Sequence, residues 1–268
     1  AIHQGAPILI ATFFLTLLDV SIYAIYNLVI IGLNSLLGIF MTGLTAGFGD
    51  LIARKEQKAF QKAFREFEFL YNLTITIIYT TMLFVYLPFI GVYTKGSDIS
   101  YIYPVFAFLM IVNGYAYNIK NPFGMLVISA GKYKETRIPT TIQGTIELVG
   151  GIMLSLIWGL NGLILGSILS NLYRDIEFLF FSPKHLTHTS AVHTIRLWLV
   201  NTVIFVLAAI LAFNFQCVEI RTFCEWVVYS AIICTICTFI ILMVNVILFR
   251  ELAKEALERF KQILIRRC

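Results

Sequence analysis

The stretch VNTVIFVLAAIL, residues 200–211, contains one asparagine and one threonine among apolar residues and carries no charge. The stretch IMLSLI, residues 152–157, has the same character. Runs of this kind are typical of helices surrounded by lipid, whereas the strands of a membrane barrel alternate apolar and polar residues over about ten positions. Over the whole chain 59% of residues are hydrophobic and 13% are charged, against roughly 45–50% and 25% in soluble domains. The sequence therefore predicts an all-α integral membrane protein and excludes a soluble globule.

Apolar runs separated by polar or charged breaks predict eight membrane helices. They cover approximately residues 6–18, 20–48, 67–92, 100–129, 138–158, 160–181, 194–215 and 223–248. The first run is shorter than the roughly 20 residues that cross a hydrocarbon core. We therefore expect this helix to be truncated and the chain to continue a longer protein.

The basic residues predict the orientation in the membrane. Sixteen of the twenty Lys and Arg residues fall in alternate loops and in the C-terminal tail, whereas the other loops contain only Lys95 and Arg221. Since cytoplasmic loops carry the excess of basic residues, these sixteen residues predict a cytoplasmic C-terminus. In the tail, residues 249–268, apolar positions recur at helical spacing opposite basic ones, so we expect an amphipathic helix along the membrane surface.

Two ionisable residues, Lys120 and Glu147, lie inside consecutive apolar runs. A charge at the centre of a membrane helix costs about 2.5–3.5 kcal/mol on insertion scales, so each needs an explanation. Their positions are symmetric about the loop at residues 133–134, which predicts equal depths of about 15 Å from the loop. Two interpretations follow: a substrate site facing a cavity, or a buried salt bridge that joins the two helices.

Other polar residues extend this candidate site. Asn118 and Asn121 lie in the same turn as Lys120, and Pro122 removes a backbone donor there, which loosens the helix. Arg174 lies near the end of a later run beside two acidic residues, either as a snorkelling structural residue or as a phosphate ligand in the cavity. The candidate substrate-binding residues are therefore Lys120, Arg174, Glu147, Asn118 and Asn121.

Small residues recur at fourfold spacing in the fifth and sixth runs, which lets helix backbones approach closely. They are Gly151, Ser155 and Gly159, followed by Gly162, Gly166 and Ser170. The uncharged break at residues 159–162 predicts a tight turn between these two helices. No set of residues suggests an enzyme, and the cysteines and histidines lack the spacing of a metal site, so we expect neither catalysis nor a metal or other cofactor. The modest net charge of +5 does not indicate a nucleic-acid partner.

Several stretches together resemble the bacterial polysaccharide flippases of the multidrug/oligosaccharidyl-lipid/polysaccharide exporter superfamily, of the O-antigen and teichoic type. The resemblance covers about residues 7–185. It rests on the order and spacing of VSIYAIY (20–26), FGD (48–50), FEFL (67–70), YTKG (93–96), YP (103–104), AGKYKET (130–136), Glu147, the glycines at 159, 162 and 166, and YR (173–174).

The resemblance implies that residues 1–185 form a C-terminal lobe of six helices and that residues 186–248 form an additional pair. It implies a partner lobe at the N-terminal side of the same protein, contact with membrane lipid, and a bacterial inner-membrane location. The implied activity is translocation of undecaprenyl-pyrophosphate-linked oligosaccharide for cell-surface polysaccharide biosynthesis, with cationic cavity residues such as Lys120 receiving the pyrophosphate. Lys120 stands where an arginine is expected, which keeps the charge but not the bidentate geometry.

Two alternatives remain open. The first is a cation-coupled multidrug exporter of the same superfamily. The second is a membrane-embedded glycan polymerase or ligase, which would need a large external loop with catalytic residues, whereas the predicted external loops are short.

Overall fold

The computed structural model describes residues 2–214, 220–255 and 258. Every regular element in these ranges is helical and no strand occurs in them, which confirms the all-α fold. The helices are α1 (Ile2–Phe14), α2 (Leu17–Ala53), α3 (Gln57–Tyr93), α4 (Pro104–Ile119), α5 (Asn121–Ser129), α6 (Tyr133–Thr145), a π-helix (Ile146–Gly150), α7 (Gly151–His185), α8 (Val192–Asn214) and α9 (Phe223–Leu248).

Within the described ranges five helical stretches are long and apolar enough to cross a membrane, and the chain is a membrane protein. They are α2, α3, the continuous stretch Tyr133–His185, α8 and α9. The predicted run 100–129 is divided into α4 and α5, and α1 has only 13 residues. The predicted runs thus correspond to helices. The first run is short, the run 100–129 is interrupted, and the run 138–158 contains the π-helix.

The stretch Tyr133–His185 is a hairpin rather than one rod. Gly159 breaks it with φ 57° and ψ −135°, a conformation that glycine adopts without the steric cost of a Cβ. On either side of this break the backbones touch: a Cβ on Gly162 would overlap the carbonyl oxygen of Leu154, and one on Gly166 would lie 2.5 Å from the nitrogen of Gly151. The small residues therefore allow the close approach that their spacing predicts.

The second interruption separates α4 from α5 at Lys120. Pro122, at the second position of α5, cannot donate a backbone hydrogen bond into α4. The Lys120 backbone stays close to helical values, with φ −87° and ψ −11°. The break therefore leaves carbonyl groups at the end of α4 without helical donors.

The bundle is organised around α3, against which α2, α4, α8 and α9 pack. Aromatic residues fill much of this core; the Tyr26 ring meets Tyr86 and Phe106 edge-on, with centroids 5.4 and 5.1 Å apart. α1 packs against α2 and α7, and α4 packs against α7. These contacts surround a polar space between α2, α4, α5 and the hairpin.

The pair α8–α9 lies on the other face of α3 and is joined by amides. Asn201 and Asn245 are fully buried, and each donates its side-chain Nδ2 to the other's Oδ1, at 3.3 and 3.2 Å. The helix that follows α9 is described from Arg250 to Glu255. The rest of the predicted amphipathic tail, residue 258 excepted, lies outside the described residues.

Candidate functional site

A polar cavity of about 800 Å³ lies between helices of the bundle. Its walls come from α1, α2, α4, α5, the π-helix and α7, so both interrupted segments border it. The lining residues are Pro7, Tyr23, Asn27, Ile30, Ile31, Asn34, Ser35, Gly38, Met41, Thr42, Thr45, Asn113, Gly114, Tyr117, Asn121, Gly124, Met125, Ile128, Glu147 and Asn171.

The lining is rich in neutral polar groups. Five asparagines contribute amides, and Ser35, Thr42 and Thr45 contribute hydroxyls. Each amide offers both a donor and an acceptor. Among the described lining residues Glu147 is the one carboxylate, and none is Lys or Arg. The cavity wall is therefore suited to a ligand with many hydroxyl or amide groups.

Glu147 lies in the π-helix and is 2% exposed. Its Oε1 accepts a hydrogen bond from Ser167 on the facing arm of the hairpin, at 3.2 Å. A π-helical turn is uncommon and is often found at functional sites, because it turns side chains out of the α-helical register. The sequence-based candidate Glu147 thus borders the cavity at a backbone irregularity that the residue pattern does not reveal.

Asn118 and Asn121 belong to one amide and hydroxyl network. The Asn118 Nδ2 lies 2.8 Å from both the Asn34 Oδ1 and the Tyr79 hydroxyl, and its Oδ1 accepts from Tyr71 and Asn121, at 3.1 and 2.9 Å. Asn118 is fully buried, whereas Asn121 lines the cavity. Asn118 therefore holds α2, α3 and α4 together, and Asn121 presents the edge of this network to the cavity.

Lys120 lies at the break between α4 and α5, with 6% of its surface exposed. Its Nζ donates to the carbonyl oxygens of Ala116 and Tyr117 at the end of α4, at 3.4 and 3.2 Å. It also donates to the Oδ1 of Asn171, at 2.7 Å. A cation at the carbonyl end of a helix is favourable, so Lys120 stabilises the interrupted end of α4.

The acidic partner of Lys120 is Asp175, with Nζ and Oδ1 3.9 Å apart, and not Glu147 as the salt-bridge interpretation predicts. That interpretation assumes that consecutive helices face each other. The hairpin instead turns at Gly159 so that α4 packs on α7, the element that carries Asn171 and Asp175. Lys120 itself does not line the cavity. Its hydrogen-bond partner Asn171 contributes to the wall and lies between Lys120 and the cavity.

Arg174 is buried and held away from the cavity. Its Nη1 donates to Glu177 at 2.9 Å, and its guanidinium lies 4.2 Å from the ring centroid of Phe178. Side-chain exposure is 7% for Arg174 and 17% for Glu177. In this conformation Arg174 has a structural partner on each side and does not contribute to the described cavity wall.

The residues that sequence reasoning missed are Asn27, Asn34, Asn113, Asn171 and Asp175. A signal for two of them exists, because Asn27 and Asn34 interrupt an apolar run seven residues apart and so share one helix face. The remaining three could not be selected from the sequence, since their role depends on which helices pack together. Within the described ranges no group of three or more His, Cys, Asp or Glu residues could hold a metal.

The fold and the cavity define an all-α membrane protein with a polar interior site. Comparison with protein-family models, with curated proteins and with solved structures finds no match to this chain. Any assignment of the chain to a family is therefore a proposal, and that proposal rests on the residues described above.

Proposed function

We propose that this chain is part of a bacterial inner-membrane flippase that moves undecaprenyl-pyrophosphate-linked oligosaccharide for cell-surface polysaccharide biosynthesis. The observation that carries the proposal is the cavity of about 800 Å³ with five asparagines and Glu147 in its wall, inside a bundle of apolar helices. A polar space of this size costs a membrane protein packing and desolvation, which a polar substrate offsets. The resemblance over residues 7–185 supports the substrate class.

In this proposal the glycan is the part that occupies the cavity. Sugar hydroxyls donate and accept hydrogen bonds. The amide of Asn27 offers both functions, and Asn121, whose Nδ2 donates to Tyr71 and Asn118, offers its Oδ1 as an acceptor. Lys120 contributes through Asn171, whose Oδ1 it fixes. Direct contact with the pyrophosphate requires Lys120 to leave Asp175 in another conformation, and the loose ion pair of 3.9 Å makes such an exchange feasible.

The proposed orientation places the C-terminus in the cytoplasm, because sixteen basic residues fall on that side. The proposal also includes an N-terminal lobe of the same protein as a partner.

The test uses the full-length protein in vesicles that contain a lipid-linked oligosaccharide labelled on the glycan. We expect the protein to raise the fraction of label reached by a membrane-impermeant reagent on the opposite side. Asn121→Leu should lower this rate several-fold, because it removes an amide from the wall. The matched control is the double variant Asn201→Leu with Asn245→Leu. It replaces amides of α8 and α9 that do not line the cavity, and it should leave the rate unchanged. Equal rates for protein-free and protein-containing vesicles would refute the proposal.

A second candidate is a cation-coupled exporter, and one observation favours it. Glu147 is the one carboxylate among the described cavity residues, and intramembrane carboxylates mark many ion and proton pathways. In that case vesicles would take up a small cationic dye in response to an imposed proton or sodium gradient, and Glu147→Gln would abolish the uptake. Uptake of dye without movement of the glycan label would favour this candidate over the flippase.

A further inference from the structure

A second recess lies outside the cavity, between α2 and α9 on the surface of α3. This groove has a volume of about 770 Å³ and a mainly apolar wall that includes Leu44 and Gly47 of α2, Leu70 of α3 and Val246 of α9. Its volume falls within the range of roughly 300–1,000 Å³ that is usual for pockets that hold a small molecule. The groove is therefore large enough for more than side-chain packing.

The groove has an apolar end and a polar end. Along α3, Leu73 packs beside Ile241 of α9, and both belong to an apolar cluster. One turn earlier Phe69 packs beside Phe249, where α9 ends. Beyond that level the wall includes Glu66, Arg250 and Lys254. The groove is thus polarised along the helix axes, as a lipid molecule is.

Arg250 and Lys254 are four residues apart in the helix after α9, so they share one face. Both are exposed, and neither forms an ion pair with any residue that the structure describes. Glu66 lies deeper, with 2% exposure. Two cations therefore lie at the exposed end of the groove, and the one carboxylate of its described wall is more deeply buried than they are.

We propose that this groove binds one anionic phospholipid. An acyl chain lies along Leu70 and Val246, and the phosphate contacts Arg250 and Lys254. Packing of the acyl chain against the groove adds no headgroup selectivity, because lipid tails are alike and the surrounding bilayer is equally apolar. Selectivity comes from the two cations, since basic residues at the membrane surface attract anionic headgroups and arginine binds phosphate through two parallel hydrogen bonds.

The test compares two photoactivatable lipids with the same diazirine-bearing acyl chain, a phosphatidylglycerol and a phosphatidylcholine, in vesicles that contain the full chain. Peptide mass spectrometry measures labelling of residues 63–73 and 242–254. We expect phosphatidylglycerol to label these residues several-fold more than phosphatidylcholine. Arg250→Ala with Lys254→Ala should lower the phosphatidylglycerol yield to the phosphatidylcholine level.

Two matched controls isolate the groove. Lys134→Ala with Arg137→Ala removes the same charges from exposed positions elsewhere and should leave the labelling unchanged. Gly47→Phe places a ring in the groove, where a Cβ has no neighbour within 4 Å, and should block labelling by both lipids. Gly43→Phe, one turn away with the same open space, should not.

Either of two outcomes would overturn the proposal. Equal labelling by the two lipids would show an unselective apolar surface. Labelling that is absent in the full chain but present in a chain that ends at Glu255 would show that residues 256–268 occupy the groove instead of a lipid.

Discussion

Asparagine serves two different purposes on the two sides of α3. Between α8 and α9, Asn201 and Asn245 are fully buried and satisfy each other through two hydrogen bonds. In the cavity wall, Asn27 makes no side-chain hydrogen bond with the residues that the structure describes, and Asn121 donates to groups on one side only. Asparagine amides therefore pair with each other between α8 and α9, whereas in the cavity wall they face an open space.

These two arrangements represent two uses of polar groups within apolar helices. An amide in hydrocarbon must find a partner, and a reciprocal pair meets that need while it joins two helices. An amide that faces a polar cavity can be satisfied by water or by a ligand and adds little to helix association. Replacement of the paired amides should therefore affect stability, and replacement of the amides that face the cavity should affect transport.

The largest effect is expected from the hairpin that forms one wall of the cavity. Gly162→Leu should lower the free energy of unfolding by more than about 4 kcal/mol, because its side chain overlaps the backbone of Leu154 and the helices must separate. The measurement is the yield of monodisperse protein together with unfolding by SDS in mixed micelles. Gly43→Leu, with no atom within 4 Å of the added Cβ, is the control and should behave as the parent chain does. Normal stability of the Gly162 variant would contradict the close packing of the hairpin.

Replacement of Lys120 should have the next largest effect. Lys120→Met leaves Asp175 buried without its cation, and we expect a loss of about 3 kcal/mol. The double variant with Asp175→Asn should lose less than the two single variants together, since it removes both charges. SDS unfolding of all three chains measures this coupling, with Lys134→Met as the exposed control. Additive losses would show that Lys120 and Asp175 do not interact.

The closed amide pair should have a smaller effect on stability. Asn201→Leu removes both hydrogen bonds to Asn245 and leaves the Asn245 Oδ1 without a donor, although its Nδ2 still donates to the Ile241 carbonyl oxygen, so we expect a loss of about 0.6–1.7 kcal/mol. The double variant with Asn245→Leu should recover most of this loss, because no amide remains to be satisfied. A double variant as unstable as the single one would mean that shape and not hydrogen bonding joins these helices.

The open amides should have the smallest effect on stability. Asn27→Leu should change the free energy of unfolding by less than about 0.5 kcal/mol, since the amide has no partner to lose within the described residues. The same variant should slow glycan translocation in the vesicle assay several-fold. A large loss of stability, with transport unchanged per folded molecule, would remove the distinction between the two uses of asparagine.

Much of the fold is predictable because the lipid environment acts on each run of residues separately. A run such as residues 200–211 must satisfy its backbone internally, so its helix follows from its own composition. The hairpin turn at residues 159–162 is equally local, since Gly159 supplies a backbone conformation that other residues rarely adopt. The all-α membrane fold and the close approach of the small residues were therefore available from the sequence.

The candidate site could be predicted from the sequence only in part. Depth in the membrane is predicted from sequence position, and this prediction selected Lys120 and Glu147. The partners of each side chain depend on the rotation of its helix and on which helices are neighbours, and the local sequence determines neither. Lys120 consequently meets Asn171 and Asp175 on α7, whereas Glu147 meets Ser167 across the hairpin.

Short-range composition and backbone sterics are enough to specify a helical, membrane-embedded chain that is interrupted at Lys120 and Gly159. Only the packing of the helices brings five asparagines and Glu147 to one cavity and places Lys120 behind Asn171 instead of in the wall. A cavity exists only where several helices fail to fill the space between them, and no single helix contains that information.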